Sequence, residues 1–122
     1  MNVFVVREIK DAFETVKDLE KIGIKSKSLP ITKCNYKTIP NYKIKYDFIL
    51  LTSAKSITFF IRFISLYKKY HGKIPKIFAV GVETANALKK NRYENVFVSQ
   101  GNSKNLSELV ISNTKIYSKG LW

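Results

Sequence analysis

The sequence predicts an α/β protein built on a parallel sheet. Two strand-to-helix corners carry that prediction: Asp47-Phe-Ile-Leu-Leu-Thr-Ser-Ala-Lys-Ser-Ile-Thr58 and Lys76-Ile-Phe-Ala-Val-Gly-Val-Glu-Thr-Ala-Asn-Ala-Leu88. In each, a short β-prone apolar run stops at a small polar residue or Gly and a helical pattern follows at once. That is the pattern of a buried parallel strand feeding its crossover helix. The third observation is rhythm, since strand and helix alternate along the chain with no internal repeat or low-complexity tract. Corners of this kind align at one sheet edge, where helix N-termini and backbone N–H groups collect and an anion or ligand finds donors.

Taken in order, Val3 to Val6 reads as a strand, and Ile9, Ala12, Phe13, Val16 and Leu19 repeat at helical spacing until Lys21 and Gly23 close the helix. Ile24 to Leu29 returns as a weaker strand, completing a β-α-β unit. Pro30 to Tyr46, with Pro40 and several Tyr and Lys but no period, is a connector and the one boundary between two lobes. The expected organisation is 1–34 as an opening β-α-β unit, 35–46 as connector and 47–122 as a second α/β lobe.

Phe48 to Leu51 is the next strand and Ile57 to Tyr70 the next helix. Its polar stripe of Lys55, Thr58, Arg62, Ser65 and Lys69 is narrower than a surface helix carries, so the helix is buried on two sides or expects another surface against it. Ile77–Val80, Thr84–Lys90, Val96–Ser99 and Asn105–Ile111 continue the alternation, and Lys115–Ser118 is the candidate for a final strand.

With 122 residues, 45% of them hydrophobic, the chain has a core to build, in one domain or two small lobes. Its formal net charge of +13 invites a polyanion: nucleic acid, an acidic membrane or a carboxylate-rich metabolite. Lys far outnumbers Arg, however, and the Ile, Asn, Tyr and Phe content fits an AT-rich coding bias that scatters Lys over solvated faces. Five of the nine acids (Glu8, Asp11, Glu14, Asp18, Glu20) lie in the first helical segment, and none lies between Asp47 and Glu83. Positive potential is therefore expected around the first corner.

Cys34 and His71 are the sole Cys and His, which excludes disulfides, cysteine zinc sites and a nucleophile–histidine triad with a well-placed base. His71 reads as a solvated cap at a helix C-terminus, and Cys34 as a connector residue without a role. No stretch reaches the ~20 apolar residues of a membrane helix, and Met1 to Val6 is too short for a signal peptide. A soluble, cytoplasmic protein is expected.

At the first corner, the hydroxyls of Thr52 and Ser53 fall where they can cap free N–H groups, worth about 1 kcal/mol, and can also hydrogen-bond an oxyanion. Gly81-Val-Glu-Thr84 repeats the logic, with Gly allowing a tight turn and Thr84 capping or touching ligand; Gly101-Asn-Ser103 does so a third time. Three helix N-termini with Lys55 close by make a shallow anion cradle, each dipole contributing about 0.3–1 kcal/mol. The glycines match neither a dinucleotide fingerprint nor a phosphate loop. No strand ends in clustered acids and no carboxylate pair is poised for acid/base work.

These corners, with Val96–Val110 and its Ser-led helix, and with Val3-Phe-Val-Val-Arg7 and Ser28-Leu-Pro-Ile31 ahead of them, resemble the amino-terminal half of a uroporphyrinogen-III synthase. The resemblance implies flavodoxin-like strand-helix alternation, incomplete relative to the two-lobed fold of that family. It implies a cytosolic, cofactor-free lyase of haem and other tetrapyrrole synthesis that closes hydroxymethylbilane into uroporphyrinogen III with inversion of the last ring. The substrate is a linear tetrapyrrole polycarboxylate, held in a cleft largely by main-chain groups.

Residue by residue, Thr52, Ser53 and Ala54 match the first binding segment, Gly81, Val82 and Thr84 the second, and Arg7 the arginine ending the first strand of the other lobe. Lys55 joins them from the cradle, and Ser53 and Thr84 are the expected hydroxyl donors. In a full-length member the carboxy-terminal half completes the opening unit and carries the tyrosine usually assigned to loss of the substrate hydroxyl. No tyrosine here inherits that role by position, so catalytic residues are not assigned, and a second chain or self-association is expected to complete the fold.

Two other readings compete. One is a non-catalytic basic α/β module binding a polyanion; scarce Arg and aromatics at core positions argue against nucleic acid as that ligand. The other is a flavodoxin-like flavin or nucleotide binder suggested by Thr52 to Thr58, against which stands Arg7-Glu8 following the first strand, where a phosphate loop belongs.

Overall fold

The structure, a computed structural model, describes residues 3–33, 35 and 38–122, with the backbone alone for Ser103. The expectation for Cys34 lies outside the described residues. The chain divides into two compact units, Met1–Lys37 and Thr38–Trp122.

The first unit is a β-α-β element: β1 (Val3–Val5), α1 (Ile9–Lys21) and β2 (Ser26–Ser28). The strands are parallel, with Val3 opposite Ser26 and Val5 opposite Ser28. Gly23, at φ +79°, ends α1. Its N–H donates to Glu20 O at 3.0 Å and that of Ile24 to Leu19 O at 2.9 Å, the paired bonds of a Schellman motif. Val5 and Ala12 are buried, whereas Phe4, Ile9 and Phe13 remain about half exposed or more.

The second unit holds β3 (Phe48–Leu51), α2 (Ile57–His71), β4 (Lys76–Val80), α3 (Gly81–Lys90), β5 (Val96–Ser99), α4 (Ser103–Asn113) and β6 (Gly120–Leu121). Its sheet runs β5-β4-β3-β6 with every pairing parallel. Ile49, Leu51, Ile77 and Ala79 point to one face and form the core with Ile57, Phe60, Phe63, Ile64 and Tyr67 of α2 and Leu88 of α3. Alternation sends Phe48, Phe78 and Phe97 to the other face. There Phe78 stacks on Phe97 at 4.9 Å, and Phe48 meets Phe78 edge-on at 5.9 Å. α4 packs on β4 and β5 from this side, where Lys76 Nζ donates to Asn113 O at 2.6 Å.

The narrow polar stripe of α2 has its explanation in the connector. Ile39, Tyr42 and Tyr46 pack against the core that α2 shares with the sheet, so the helix is covered on a second side. Phe59 and Ile61 are half-buried as a result.

Three expectations need correction. The final strand is Gly120–Leu121, whereas Lys115–Ser118 forms a turn in which the Ser118 N–H donates to Lys115 O at 3.1 Å and Tyr117 takes φ +68°. His71 is no solvated cap: it is the half-buried last residue of α2, its Nε2 lies 3.0 Å from Tyr42 O and its ring lies 4.3 Å from that of Tyr67. Gly72, at φ +73°, is the cap. Positive charge also does not gather at the first corner. Lys68 and Lys69 sit in the last turn of α2, where cations complement the dipole, and the helix has by then carried the chain to the opposite sheet edge, beside Lys73 and Lys76.

Candidate functional site

Because every strand of the larger sheet is parallel, its three corners share one edge. Register fixes the alignment, with Leu51 opposite Ala79 and Val80 opposite Ser99. Thr52, Ser53 and Ala54 therefore lie beside Val80, Gly81 and Val82, and the single turn of 3-10 helix over Ala54–Ser56 packs against α3.

The first corner is tightly closed. The Lys55 N–H donates to Ser53 Oγ at 3.2 Å and Ser56 Oγ donates to Ser53 O at 2.6 Å. Ser53 thus caps this turn and keeps its own hydroxyl proton to donate outward; Thr52, Ser53 and Lys55 are exposed. At the second corner Gly81 takes φ +79° as the first residue of α3, and the N-cap residue Val80 gives no side-chain hydrogen bond. Val82 is 62% exposed, so this helix start faces solvent. Thr84 does not present its hydroxyl as expected. It is the fourth residue of α3, one turn inside the helix, and only 3% exposed.

At the third corner the cap is Asn102, whose Oδ1 accepts the Asn105 N–H at 3.0 Å. Ser99, missed in the sequence, ends β5 at this edge with a buried Oγ that finds no partner among the described residues. Arg7 belongs to the first unit. There its guanidinium donates to Thr15 Oγ1 at 3.0 Å and pairs with Asp11 at 3.5 Å.

The strand order reverses direction between β3 and β6: α2 and α3 carry the chain from β3 to β4 and β5, and α4 returns it to the far side of β3. Open α/β sheets bind ligands in the crevice outside the strand ends at such a reversal. Near it, a cavity of about 210 Å³ lies between α2 and the β3–β6 side of the sheet, lined by Pro40, Ile49, Leu51, Thr52, Phe59, Phe63 and Leu121 among others, with the 87% exposed Trp122 at its rim. The Trp122 indole N–H reaches Thr52 Oγ1 at 3.5 Å. Nothing in the sequence marks Trp122 for this place; only the short pairing of β6 on Phe48 and Ile49 brings it there.

The opposite edge of the same sheet is the basic one. Lys45, Lys73 and Lys76 line a cavity of about 380 Å³ with Tyr67, His71 and Asp47. Among the described residues no three His, Cys, Asp or Glu converge as a metal site needs, and no helix is long and apolar enough to cross a membrane.

Because β1 lies in its own sheet, the first strand of the larger sheet is β3, and a phosphate loop of a flavin site would fall at Thr52–Ser56 and not at Arg7-Glu8. What stands against a phosphate there is the closure of that turn by the bonds of Ser53 and Ser56.

The model of the family described as uroporphyrinogen-III synthase HemD matches residues 14–119. The chain belongs to the uroporphyrinogen-III synthase family. The matched span holds all three corners of the larger sheet, so family membership and the shared edge concern the same residues. Arg7 and Trp122 lie outside it. No curated protein sequence matches the chain.

Proposed function

We propose that the chain works as a uroporphyrinogen-III synthase, binding hydroxymethylbilane along the corner edge and favouring its closure to uroporphyrinogen III with inversion of the last ring. The observation that carries the reading is the alignment of the Thr52–Lys55 turn with the side-chain-uncapped start of α3, within a chain matched to this family over residues 14–119. Carboxylates of the substrate accept from the backbone N–H groups at Gly81 and Val82, from the Ser53 hydroxyl and from Lys55, with Thr52 and Ala54 flanking them. Thr84 serves by fixing α3.

Such contacts act by positioning. A flexible chain whose two ends are held together closes faster and in one sense, because the ordering is done on binding. Donors to an anion of this kind are charge-assisted and stronger than neutral ones. The protein needs no cofactor for this role, and a second copy or chain completes the wall facing the corners. Freshly made hydroxymethylbilane is the test: with the protein, the type III isomer is expected in excess over spontaneous type I, and Ser53→Ala with Gly81→Val should abolish the excess. Type I alone with the unmodified protein contradicts the proposal.

The basic opposite edge supports a second reading, a non-catalytic module that holds a polyanion at Lys45, Lys73 and Lys76. Binding there falls steeply with salt and is lost when these three are replaced, with no effect from Ser53→Ala.

A further inference from the structure

We infer that the second unit docks on an anionic lipid surface through the edge opposite the corners, with the turn Lys115–Ser118 as an apolar tip and the surrounding lysines as the electrostatic contact. The inference shares that edge with the second reading above and commits it to one partner. It does not depend on what the corner edge binds.

Charge is the first ground. In a parallel sheet the crossover helices run back against the strands, so α2 and α3 end at the edge where β3, β4 and β5 begin. Lys68 and Lys69 lie in the last turn of α2, and Lys89 and Lys90 in that of α3. Lys73, Arg92, Lys115 and Lys119 join them from the loops at the same edge. All are exposed, and none pairs with a carboxylate among the described residues. The acids here are Asp47 and Glu94, and Asp47 Oδ2 already accepts the Lys119 N–H at 2.8 Å. The corner edge is nearly balanced, with Lys55 and Lys104 against Glu83. Helix dipoles account for cations in the last turns of α2 and α3, but not for the four in the loops.

The tip is the second ground. Ile116 is 86% and Tyr117 99% exposed, yet the turn that carries them is closed at both ends. The Ser118 N–H donates to Lys115 O and the Lys115 N–H donates to Ser118 Oγ, both at 3.1 Å, while the Asp47 N–H donates to Lys119 O at 2.8 Å. Tyr117 holds φ +68°, a conformation that a bulky side chain rarely takes. Two large apolar side chains are thus fixed in solvent between Lys115 and Lys119. Tyr70 and Ile74, 58% and 40% exposed, add apolar surface where α2 ends.

The combination selects the partner. An anionic bilayer gains about fivefold in affinity from each Lys or Arg near its surface, and an aliphatic side chain with a Tyr beside it enters the headgroup boundary. Nucleic acid favours Arg forks and a groove in which bases stack. Arg92 is the one arginine of this edge, and a protruding turn gives bases no groove.

Sedimentation of the full chain with vesicles is the test. Vesicles of about one-third phosphatidylserine in phosphatidylcholine should carry the protein down, vesicles of phosphatidylcholine alone should not, and binding should weaken as salt rises. Ile116→Ser with Tyr117→Asn removes the apolar tip, and Asn accepts the left-handed backbone. Binding should weaken about tenfold at unchanged far-UV circular dichroism. Lys73→Gln with Lys115→Gln spares the last turns of the helices and should weaken it about twenty-five-fold. Lys104→Gln, at the corner edge, should leave it as it was.

Failure of the unmodified protein to sediment with anionic vesicles overturns the inference. So does full binding by the tip variant, or an equal loss in Lys104→Gln. Self-association that the tip variant abolishes, with vesicles left bare, means that a second copy covers the tip, and the inference falls. Binding of an oligonucleotide in place of vesicles overturns it as well, while the second reading stands.

Discussion

The Tyr67 hydroxyl, on α2, closes a two-way bridge to the backbone of Tyr46: it accepts the Tyr46 N–H at 3.0 Å and donates to the Tyr46 carbonyl at 3.1 Å. Tyr67 is 2% exposed, so the bridge ties the connector to the helix inside the core, just ahead of β3. Tyr67→Phe keeps the ring and leaves two backbone groups without partners. A loss of about 1–3 kcal/mol is expected, read as a lower urea midpoint with unchanged slope. No change would mean that water replaces the hydroxyl and that the connector is not anchored here.

Gly120 is packed on Phe48, and a Cβ added there would run into the Phe48 ring. That ring is held edge-on by Phe78 at 5.9 Å and cannot move freely. Gly120→Ala is expected to loosen β6, seen as a lower urea midpoint at nearly unchanged helix content. An unchanged midpoint contradicts the close packing of β6 on Phe48.

Gly81 at φ +79° has open space where a Cβ would sit. Gly81→Ala therefore tests backbone conformation alone, with an expected cost of about 1–2 kcal/mol. Asn, which tolerates left-handed geometry better, should cost less. Equal stability of all three would show that α3 starts in another conformation.

Tyr93 packs edge-on against Phe60 at 5.2 Å, and burial raises its phenol above the ordinary value of 10.0. A raised value means that the folded state holds the proton more tightly than the unfolded one. The associated stability is complete below pH 10 and lost as pH rises through the folded value. Tyr93→Phe should flatten the fall of the urea midpoint above pH 10; an identical fall in the variant contradicts the assignment.

The parallel alternation was legible because each buried strand is a short apolar run ending at a small residue, and because caps leave a local signature. The shared edge of the corners followed from that alone. What sequence missed depends on distant contacts. His71 stacks on Tyr67 and meets Tyr42, 29 residues away; Trp122 meets Thr52, 70 residues away. Thr84 looked like a cap because it follows Gly81 closely, but α3 starts at the glycine itself, which turns the threonine inward. The charge expectation failed for a geometric reason: Lys68, Lys69, Lys73 and Lys76 follow the first corner in an acid-free interval, but α2 carries them to the other end of the sheet.

Where a polycarboxylate meets this sheet is therefore the measurement that bears most directly on the account. Titration of a linear tetrapyrrole polycarboxylate into ¹⁵N-labelled protein at near-physiological salt, followed by amide and indole shifts, reads both edges at once. Saturable shifts are expected at Thr52–Lys55, Gly81–Glu83 and the Trp122 indole, with the amides near Lys45, Lys73 and Lys76 little changed. Shifts confined to those lysines, and a silent corner edge, would contradict it.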